Sequence, residues 1–178
     1  QAAAPDGAAE RWKRLWLKKV DWWFAYSQLT VDHLVNAGFP ASRITCLDNA
    51  IDTQQFRREL TAVSEEDIAG LRTCYRIPSA APIGVFCGSL YAEKRLDLLL
   101  SAADEVRRRL RTFHLIVIGD GPDRSWVTAQ AEQRPWLHVM GALRGSAKAV
   151  CYAAASVVLN PGSVGLGVLD AFSAGAPL

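Results

Sequence analysis

The feature that most constrains the fold is a regular alternation of apolar and amphipathic runs in the second half of the sequence. The apolar runs read PIGVFCGSL, FHLIVIGDGP, WLHVMGAL and SVVLNPG, and each is followed by a run with helical spacing of its apolar residues. Strands that alternate with helices in this way are typical of βαβ units, whose parallel sheet is covered by helices on both faces. The sequence therefore predicts an α/β fold for residues 80–178.

A shorter region of similar character precedes this sheet. Apolar residues recur at helical spacing over residues 10–20, DWWFAYS and RITCL are strand-like, and SQLTVDHLVNAG reads as a helix opened by Ser27 and closed by Gly38. The stretch from Asn49 to about Ser79 is polar and poorly patterned. We therefore expect a domain boundary there.

The overall charge excludes one class of partner. The 178 residues carry a formal net charge of +2, with basic clusters only at RWKRLWLKK and RRRLR. A charge this small provides no global field for binding nucleic acid, so no nucleic-acid partner is expected. The first residue is Gln1 and the only methionine is Met140, so we expect a piece of a longer protein.

The four cysteines are far apart in the sequence, with no CxxC pair and no neighbouring histidine. This spacing argues against a metal site and against a disulfide framework. Buried free thiols in a reducing cytoplasm are the expectation. No apolar run reaches the ~18 residues that a membrane span needs.

Glycines follow the apolar runs, where parallel strands of an open sheet end and ligands bind. The positions are Gly88, Gly119, Gly121, Gly141, Gly162 and Gly165. Two of the turns lead directly into helices, whose N-termini attract anions. Glycines that merely end strands are the alternative for any single turn, but the repetition favours a ligand cleft.

Neither of the two common nucleotide-binding motifs is present, because GxGxxG, typical of dinucleotide binding, is missing from the first unit and the phosphate loop GxxxxGK[ST] is not matched. Lys94 and Arg95 instead stand where the first long helix begins, and helix dipoles disfavour cations there. The two side chains are a workable pair for a diphosphate, although exposed cations with no ligand remain an alternative.

In order along the chain, these segments resemble the retaining GT-B glycosyltransferases of family 4, also called group 1. The segment AGFPASRITCLDNAIDTQQF is similar to the family's join between two Rossmann-like domains, and IVIGDGP is nearly identical to its Gly-Asp-Gly-Pro turn. NPGSVGLGVLDAFSAGAP resembles the family's segment with two glutamates separated by seven residues. The second glutamate falls on Asp170, and the first falls on Gly162, which carries no carboxylate.

The resemblance implies roles for individual residues. Lys94 matches the lysine that holds the donor's diphosphate and is the residue expected to act in catalysis. Ser89 stands at the family's arginine and Arg95 at its glycine, and Ala142 and Leu143 inherit the contact with the base. Asp170 would contact the ribose. The donor-binding residues implied are Gly88, Ser89, Lys94, Arg95, Gly119, Gly121, Leu143, Ser163, Val164, Gly165, Leu166 and Asp170.

The resemblance further implies a GT-B fold with residues 1–52 ending an N-terminal, acceptor-side domain. Residues 53–79 would form a linker region, and residues 80–178 an incomplete C-terminal domain that binds the nucleotide sugar. The implied reaction moves a sugar from a nucleotide-diphosphate-sugar donor to an acceptor hydroxyl with retention, and it needs no metal or other cofactor. A non-catalytic nucleotide-sugar-binding module and a UDP-sugar epimerase on the same scaffold remain alternatives.

The basic, tryptophan-rich segment from Arg11 to Trp23 leaves two interpretations open. It could be a helix packed on the N-terminal domain, or it could lie on anionic membrane with Trp12 and Trp16 inserted. The resemblance implies a cytoplasmic protein, with peripheral contact at the inner face of the membrane as an option, and a glycan or a lipid-linked acceptor.

Overall fold

The chain forms two compact units that divide between residues 50 and 51. The structure is a computed structural model, and it describes Trp12 and residues 15–17, 19–49 and 51–178. The basic residues Arg11, Lys13, Arg14 and Lys18 therefore lie outside the described residues. Trp12 and residues 15–17 are helical, in agreement with the predicted spacing.

The first unit contains a small parallel sheet with one helix. Its elements are β1 (Trp23–Ala25), α1 (Gln28–Asn36), a 3-10 turn (Ala41–Arg43) and β2 (Ile44–Cys46). Trp23 pairs with Ile44 and Ala25 with Cys46. Its core consists of Leu17, Ala25, Leu34 and Phe39. The predicted helix between Ser27 and Gly38 is confirmed, and Gly38 ends it with a φ of 90°.

The second unit is a four-stranded sheet with helices between its strands. The strands are β3 (Ile83–Cys87), β4 (His114–Ile118), β5 (Leu137–Gly141) and β6 (Val157–Val158). The helices are α2 (Thr53–Thr61), α3 (Glu65–Cys74), α4 (Leu96–Arg109), α5 (Arg124–Glu132), α6 (Gly145–Ala153) and α7 (Gly167–Ala174). The strand order is β5–β4–β3–β6, and every pairing is parallel.

Alternate residues of β3 and β4 enter two different cores. Val85 and Ile116 pack with residues of α2, α6 and α7 on one face. Phe86 and Leu115 pack with residues of α4 and α5 on the other face. Because side chains of a strand point alternately to opposite faces, both faces of the sheet are apolar and both are covered. This confirms the predicted α/β fold with helices on both faces.

The stretch expected to be an irregular linker, residues 53–79, contains α2 and α3. Asp52 caps α2 by accepting a hydrogen bond from the Gln55 amide at 2.8 Å, and Ser64 and Asp67 form a capping box at the start of α3. Phe56 is 4% exposed and meets Tyr152 edge to face, with ring centroids 5.4 Å apart. The expectation of an irregular stretch here was wrong. The sequence carries no clear helical signal, because Phe56 is the one buried residue of α2.

The cysteines are free thiols, but they are not all buried. Cys151 is buried, Cys46 and Cys87 are partly buried, and Cys74 is exposed at the end of α3. The expectation of buried thiols is therefore wrong for Cys74. Burial raises the pKa of Cys151 to about 12, which makes it unreactive at neutral pH.

No helix among the described residues is both long and apolar enough to cross a membrane.

Candidate functional site

The loops that follow the parallel strands meet at the carboxyl edge of the sheet in the second unit. The Gly88 amide donates to the Ile118 carbonyl at 3.0 Å, and the Leu90 amide donates to the Asp120 carbonyl at 2.9 Å. The Gly119 amide donates to the Gly141 carbonyl at 2.8 Å. These bonds join the turns after β3, β4 and β5 into one surface, where a ligand of an open α/β sheet would bind.

Gly119 and Gly121 have a structural role in this surface. Their φ angles are 147° and 152°, a region that residues with a Cβ rarely adopt. A Cβ on Gly119 would overlap the Gly88 carbonyl oxygen, and a Cβ on Gly121 would overlap that of Leu90. Glycine at these two positions therefore allows the turns after β3 and β4 to pack backbone against backbone.

Lys94 is a buried cation in the turn that connects β3 to α4. It ends a 3-10 turn, Ala92–Lys94, and is only 8% exposed. Its Nζ donates to the Ser163 carbonyl oxygen at 2.6 Å and lies 5.6 Å from the Tyr91 ring centroid. No carboxylate of the described residues lies within ion-pair distance of this ammonium. A buried ammonium that lacks a counter-charge is a candidate for binding an anion.

The loop of residues 162–166, between β6 and α7, rests on the Lys94 turn. The Ser163 amide donates to the Glu93 carbonyl at 2.9 Å. A Cβ on Gly162 would lie 2.7 Å from the Lys94 Cα and would overlap the Glu93 carbonyl oxygen. The structure therefore leaves no room for a side chain at Gly162, because the backbone of Glu93 and Lys94 occupies the space.

The same loop presents free backbone amides at the start of α7. Within the described part of the chain, the N–H groups of residues 164–167 have no hydrogen-bond partner. Ser163, Val164 and Gly165 are exposed, and a Cβ on Gly165 would lie 3.4 Å from the Lys94 Nζ. The loop amides and the lysine are thus neighbours at a helix N-terminus, a favourable arrangement for an anion.

Arg95 differs from its neighbour in both backbone and partner. It precedes α4 in a left-handed conformation with a φ of 52°, which explains why glycine suits this position in the family that the sequence resembles. Its exposed guanidinium forms an ion pair with Asp97, with Nε and Oδ1 3.1 Å apart. Arg95 thus has a carboxylate partner, whereas Lys94 has none among the described residues.

Asp170 lies in the first turn of α7 and is 6% exposed. Its Oδ1 accepts a hydrogen bond from the Nζ of Lys148 on α6 at 2.9 Å. The Lys148 ammonium also lies 4.2 Å from the centre of the Phe56 ring, on α2. Sequence reasoning missed Lys148, because it belongs to no motif and its partner is 22 residues away in the chain.

Two further polar groups, Cys87 at the end of β3 and Tyr152 on α6, lie near this ion pair. The Tyr152 hydroxyl is buried with no hydrogen-bond partner among the described residues. Burial raises the pKa of Tyr152 and that of Cys87. The positive charge of Lys148 favours the Cys87 thiolate and so lowers its pKa, but the effect of burial is larger. Both groups are therefore neutral at physiological pH.

The remaining predicted residues are less closely tied to this cluster. Ser89 is exposed in the turn after β3. Leu143 is partly buried and packs against the core beneath α6, whereas its neighbour Ala142 is exposed. The structure thus brings Lys94 together with Gly88, Ser163 and Gly165, and it leaves Arg95 with a different partner.

Two surface grooves lie away from this cluster. One of about 570 Å³ is lined by Asp104, Arg107, Arg108 and Arg111, near the end of α4. Another, of about 490 Å³, follows α3 and the segment after it. Neither groove is lined by a predicted site residue.

Comparisons with known proteins identify a family whose model matches this chain. The model of a family described as Glycosyl transferases group 1 matches residues 81–178. A search of curated proteins gives no significant match.

Among solved structures, Anabaena Alr3699/HepE in complex with UDP-glucose is similar to the chain, with a TM-score of 0.63 and 18% identity. WaaG, a glycosyltransferase involved in lipopolysaccharide biosynthesis, has a TM-score of 0.66 and 18% identity. The comparisons cover 96% and 97% of this chain, respectively, and 49% of each solved chain.

The pneumococcal O-GlcNAc transferase GtfA, in complex with UDP and GlcNAc, has a TM-score of 0.60 and 17% identity over 94% of this chain and 31% of that chain. At these identities the likeness establishes the fold, an α/β architecture of the GT-B type. The chain spans about half the length of the first structures it matches.

Proposed function

The chain belongs to the group 1 glycosyl transferases, and we propose that its second unit binds the nucleotide-diphosphate-sugar donor of a sugar transfer. The acceptor is a hydroxyl of a glycan or of a lipid-linked sugar. The reaction retains the configuration at the anomeric carbon, as in family 4, and proceeds without a metal ion or another cofactor. The donor lies at the carboxyl edge of the sheet, where Lys94, the loop 162–166 and Asp170 are found.

The observation that carries this proposal is the buried ammonium of Lys94. A charge removed from water is costly unless an opposite charge accompanies it, and among the described residues the hydrogen bond of Lys94 goes to a neutral carbonyl. An ammonium has three donors, so two remain for phosphate oxygens after the bond to Ser163. A diphosphate bound beside Gly165 would supply the missing negative charge.

Other parts of the site complement the donor. The free amides of residues 164–166 would donate to the diphosphate at the positive end of α7. Gly88, Ser89 and the turn at Gly119 and Gly121 shape the floor beside it, and the exposed backbone at Ala142 and Leu143 would meet the base. Asp170 would accept hydrogen bonds from the ribose hydroxyls.

The chemistry required of these groups is electrostatic. When the bond between the sugar and the diphosphate breaks, negative charge accumulates on the leaving diphosphate. Lys94 and the loop amides are preorganised to stabilise that charge, and preorganised donors of this kind are among the largest contributions to catalysis. We take UDP as the first donor nucleotide to test, because the HepE and GtfA structures contain it.

The test is calorimetric titration of the intact protein with UDP, GDP and ADP, followed by a transfer assay with the corresponding sugar nucleotides. We expect one nucleoside diphosphate to bind and its sugar nucleotide to serve as donor, with the anomeric configuration of the product followed by NMR. If none of the three binds under these conditions, the proposed donor site is wrong.

A second candidate, a binding module without catalysis, is supported by Gly162. This position lacks the carboxylate of the resembled family, and the backbone of Glu93 and Lys94 leaves no space for one. A module of this kind would bind the sugar nucleotide tightly and release it unchanged. Tight binding without transfer or hydrolysis over many hours, with acceptors of several classes, would favour it over the enzyme.

We propose cytoplasmic localisation, with peripheral contact at an anionic membrane through the segment from Arg11 to Trp23. In the described part of this segment, Trp12, Leu15 and Trp16 are exposed by 63%, 67% and 48%. Sedimentation of the intact protein with phosphatidylglycerol vesicles tests the contact, and Trp12→Ser/Trp16→Ser should bind more weakly. Equal binding to phosphatidylcholine vesicles and in high salt would exclude an electrostatic contact.

A further inference from the structure

We propose that Lys148 is a positioning residue, whose ammonium holds the Asp170 carboxylate in place for the ribose of the donor nucleotide. This inference rests on the proposed function, since it assigns a role at the same donor site. Lys148 matches none of the motifs that carry the resemblance to the family. The assignment comes from three contacts that converge on its ammonium.

The first contact is the ion pair itself. Asp170 Oδ1 and Lys148 Nζ are 2.9 Å apart, and the two side chains are only 8% and 19% exposed. A carboxylate this deeply buried is stable as an anion only with a partner, because burial removes its hydration. Lys148 supplies a positive charge next to this carboxylate.

The second and third contacts hold the lysine rather than the acid. The ammonium lies 4.2 Å from the centre of the Phe56 ring and 6.0 Å from that of Tyr152, so two aromatic rings limit where it can move. Cations near aromatic faces are attracted by the ring quadrupole. A lysine in the first part of a helix is disfavoured by the helix dipole, so its position near the start of α6 is not explained by α6 alone.

The arrangement leaves one carboxylate oxygen available. Among the described residues Lys148 is the one hydrogen-bond partner of Asp170, and it bonds Oδ1. The carboxylate does not cap its own helix, because no amide of α7 donates to it. Oδ2 can therefore accept from a ribose hydroxyl while Oδ1 stays on Lys148.

These contacts give α2 a supporting role at the proposed donor site. Phe56 connects α2 to Lys148, and Lys148 connects α6 to Asp170 on α7. The helix that the sequence presented as linker thus supports the acid of the donor site through one intervening residue. In this proposal Lys148 acts on the donor only through Asp170, which its ammonium contacts.

The experiment is a double-mutant cycle on ribose recognition in the intact protein. The affinities for UDP and 2′-deoxy-UDP are measured by calorimetry, with GDP and 2′-deoxy-GDP as a second pair, and their ratio reports the ribose contact. The wild type should prefer the ribonucleotide by about tenfold, a typical contribution of one hydrogen bond to a charged group. Lys148→Met and Asp170→Asn should each reduce this ratio to near one.

The double variant Lys148→Met/Asp170→Asn should have the same ratio as Asp170→Asn alone, because the lysine acts only through the acid. It also removes both buried charges, so it remains measurable if Lys148→Met is too unstable. Lys148→Arg should recover part of the discrimination. Arg109→Met, which removes an exposed charge paired with Glu105, is the matched control and should leave the ratio unchanged.

The outcomes separate this inference from the proposed function. A wild type that binds none of UDP, GDP and ADP contradicts the proposed function. A wild type that discriminates, together with Lys148→Met that discriminates equally well, overturns the positioning role while the donor site stands. Losses that add in the double variant would also overturn it, since they would mean that Lys148 contacts the nucleotide directly.

Discussion

Two lysines, the buried Lys94 and the partly buried Lys148, lie near the carboxyl edge of the same sheet, and their surroundings differ in charge. Lys148 has a carboxylate partner, Asp170, and an aromatic face beneath it. Lys94 has a single hydrogen bond to the carbonyl of Ser163 and, in the described residues, no carboxylate at ion-pair distance. Asp170 balances the charge of Lys148, whereas no carboxylate among the described residues balances the charge of Lys94. The difference indicates which lysine supports the structure and which one is available to a ligand.

The largest effect is expected on the free energy of unfolding when Lys148 is replaced. Lys148→Met would leave Asp170 buried without a partner, which typically costs about 3–5 kcal/mol. Urea unfolding at pH 7.5 measures this loss. Adding Asp170→Asn should recover most of it, because the double variant buries no charge. A loss below about 1 kcal/mol in Lys148→Met would show that water reaches the pair.

The next prediction concerns two histidines whose burial favours the neutral form of the imidazole. His114 and His138 are stacked and buried, with Nδ1 of His114 2.9 Å from Nε2 of His138. Burial and the neighbouring His114 lower the pKa of His138 from 6.5 to about 4. Burial and the charges of Arg107 and Arg72 also lower the pKa of His114.

Because these histidines are neutral when folded, the unfolded chain binds more protons below about pH 6.5. Stability should therefore fall as the pH decreases from 6.5 to about 4, by at most about 3 kcal/mol for His138, since one pKa unit corresponds to about 1.4 kcal/mol. Urea unfolding across this range measures the slope. His138→Leu should lose much of it, and His33→Gln, on the exposed side of α1, should keep it. A slope that is unchanged in His138→Leu would contradict the assignment.

Replacement of Lys94 is expected to weaken ligand binding and to leave the free energy of unfolding nearly unchanged. Lys94→Met should change the free energy of unfolding by less than about 1 kcal/mol, because the lost hydrogen bond is offset by removal of an unpaired charge. UDP binding should weaken about 10- to 150-fold, the contribution of a charge-assisted hydrogen bond. Uridine should bind almost equally to both proteins in calorimetry. Equal losses for UDP and uridine would mean that Lys94 only shapes the loop.

The last prediction concerns the loop that covers Lys94. A side chain at Gly162 meets the backbone of Glu93 and Lys94, so Gly162→Ala should cost about 1–3 kcal/mol, as overpacking usually does. Gly162→Glu should also prevent UDP binding, because the loop would have to leave Lys94. Gly70, whose Cβ would meet nothing within 4 Å, is a matched control as Gly70→Ala. Transfer enhanced by Gly162→Glu, with binding intact, would overturn this view of the loop.

The alternation of strands and helices in residues 80–178 could be predicted because the strands are apolar on both faces and the helices between them are amphipathic. The loops could be located because glycine is needed where the turns after β3 and β4 meet, as at Gly119. The two-helix region of α2 and α3 could not be predicted, since Phe56 is the one buried residue of α2 and α3 has none. Short polar helices of this kind are stabilised by caps and by packing on the sheet.

For the candidate site, the sequence indicated which residue types to expect but not their partners. Adjacent cations suggested a pair, yet the left-handed backbone at Arg95 directs that residue to Asp97 instead. Lys148 gave no signal because an ion pair between two helices depends on how they pack. Pairings across the fold of this kind follow from tertiary structure and are invisible to local patterns.

The separation of partners along the chain has a consequence for how the two lysine environments form. Lys148 and Asp170 are 22 residues apart and belong to consecutive helices joined through β6, whereas Lys94 and Ser163 are 69 residues apart. Closing a longer loop costs more chain entropy, and contacts of high sequence separation form late in folding. The Lys148 ion pair can therefore form within a local unit. The Lys94 contact has to await the arrival of β6 beside β3, so the ligand-binding side of the edge is assembled after its support.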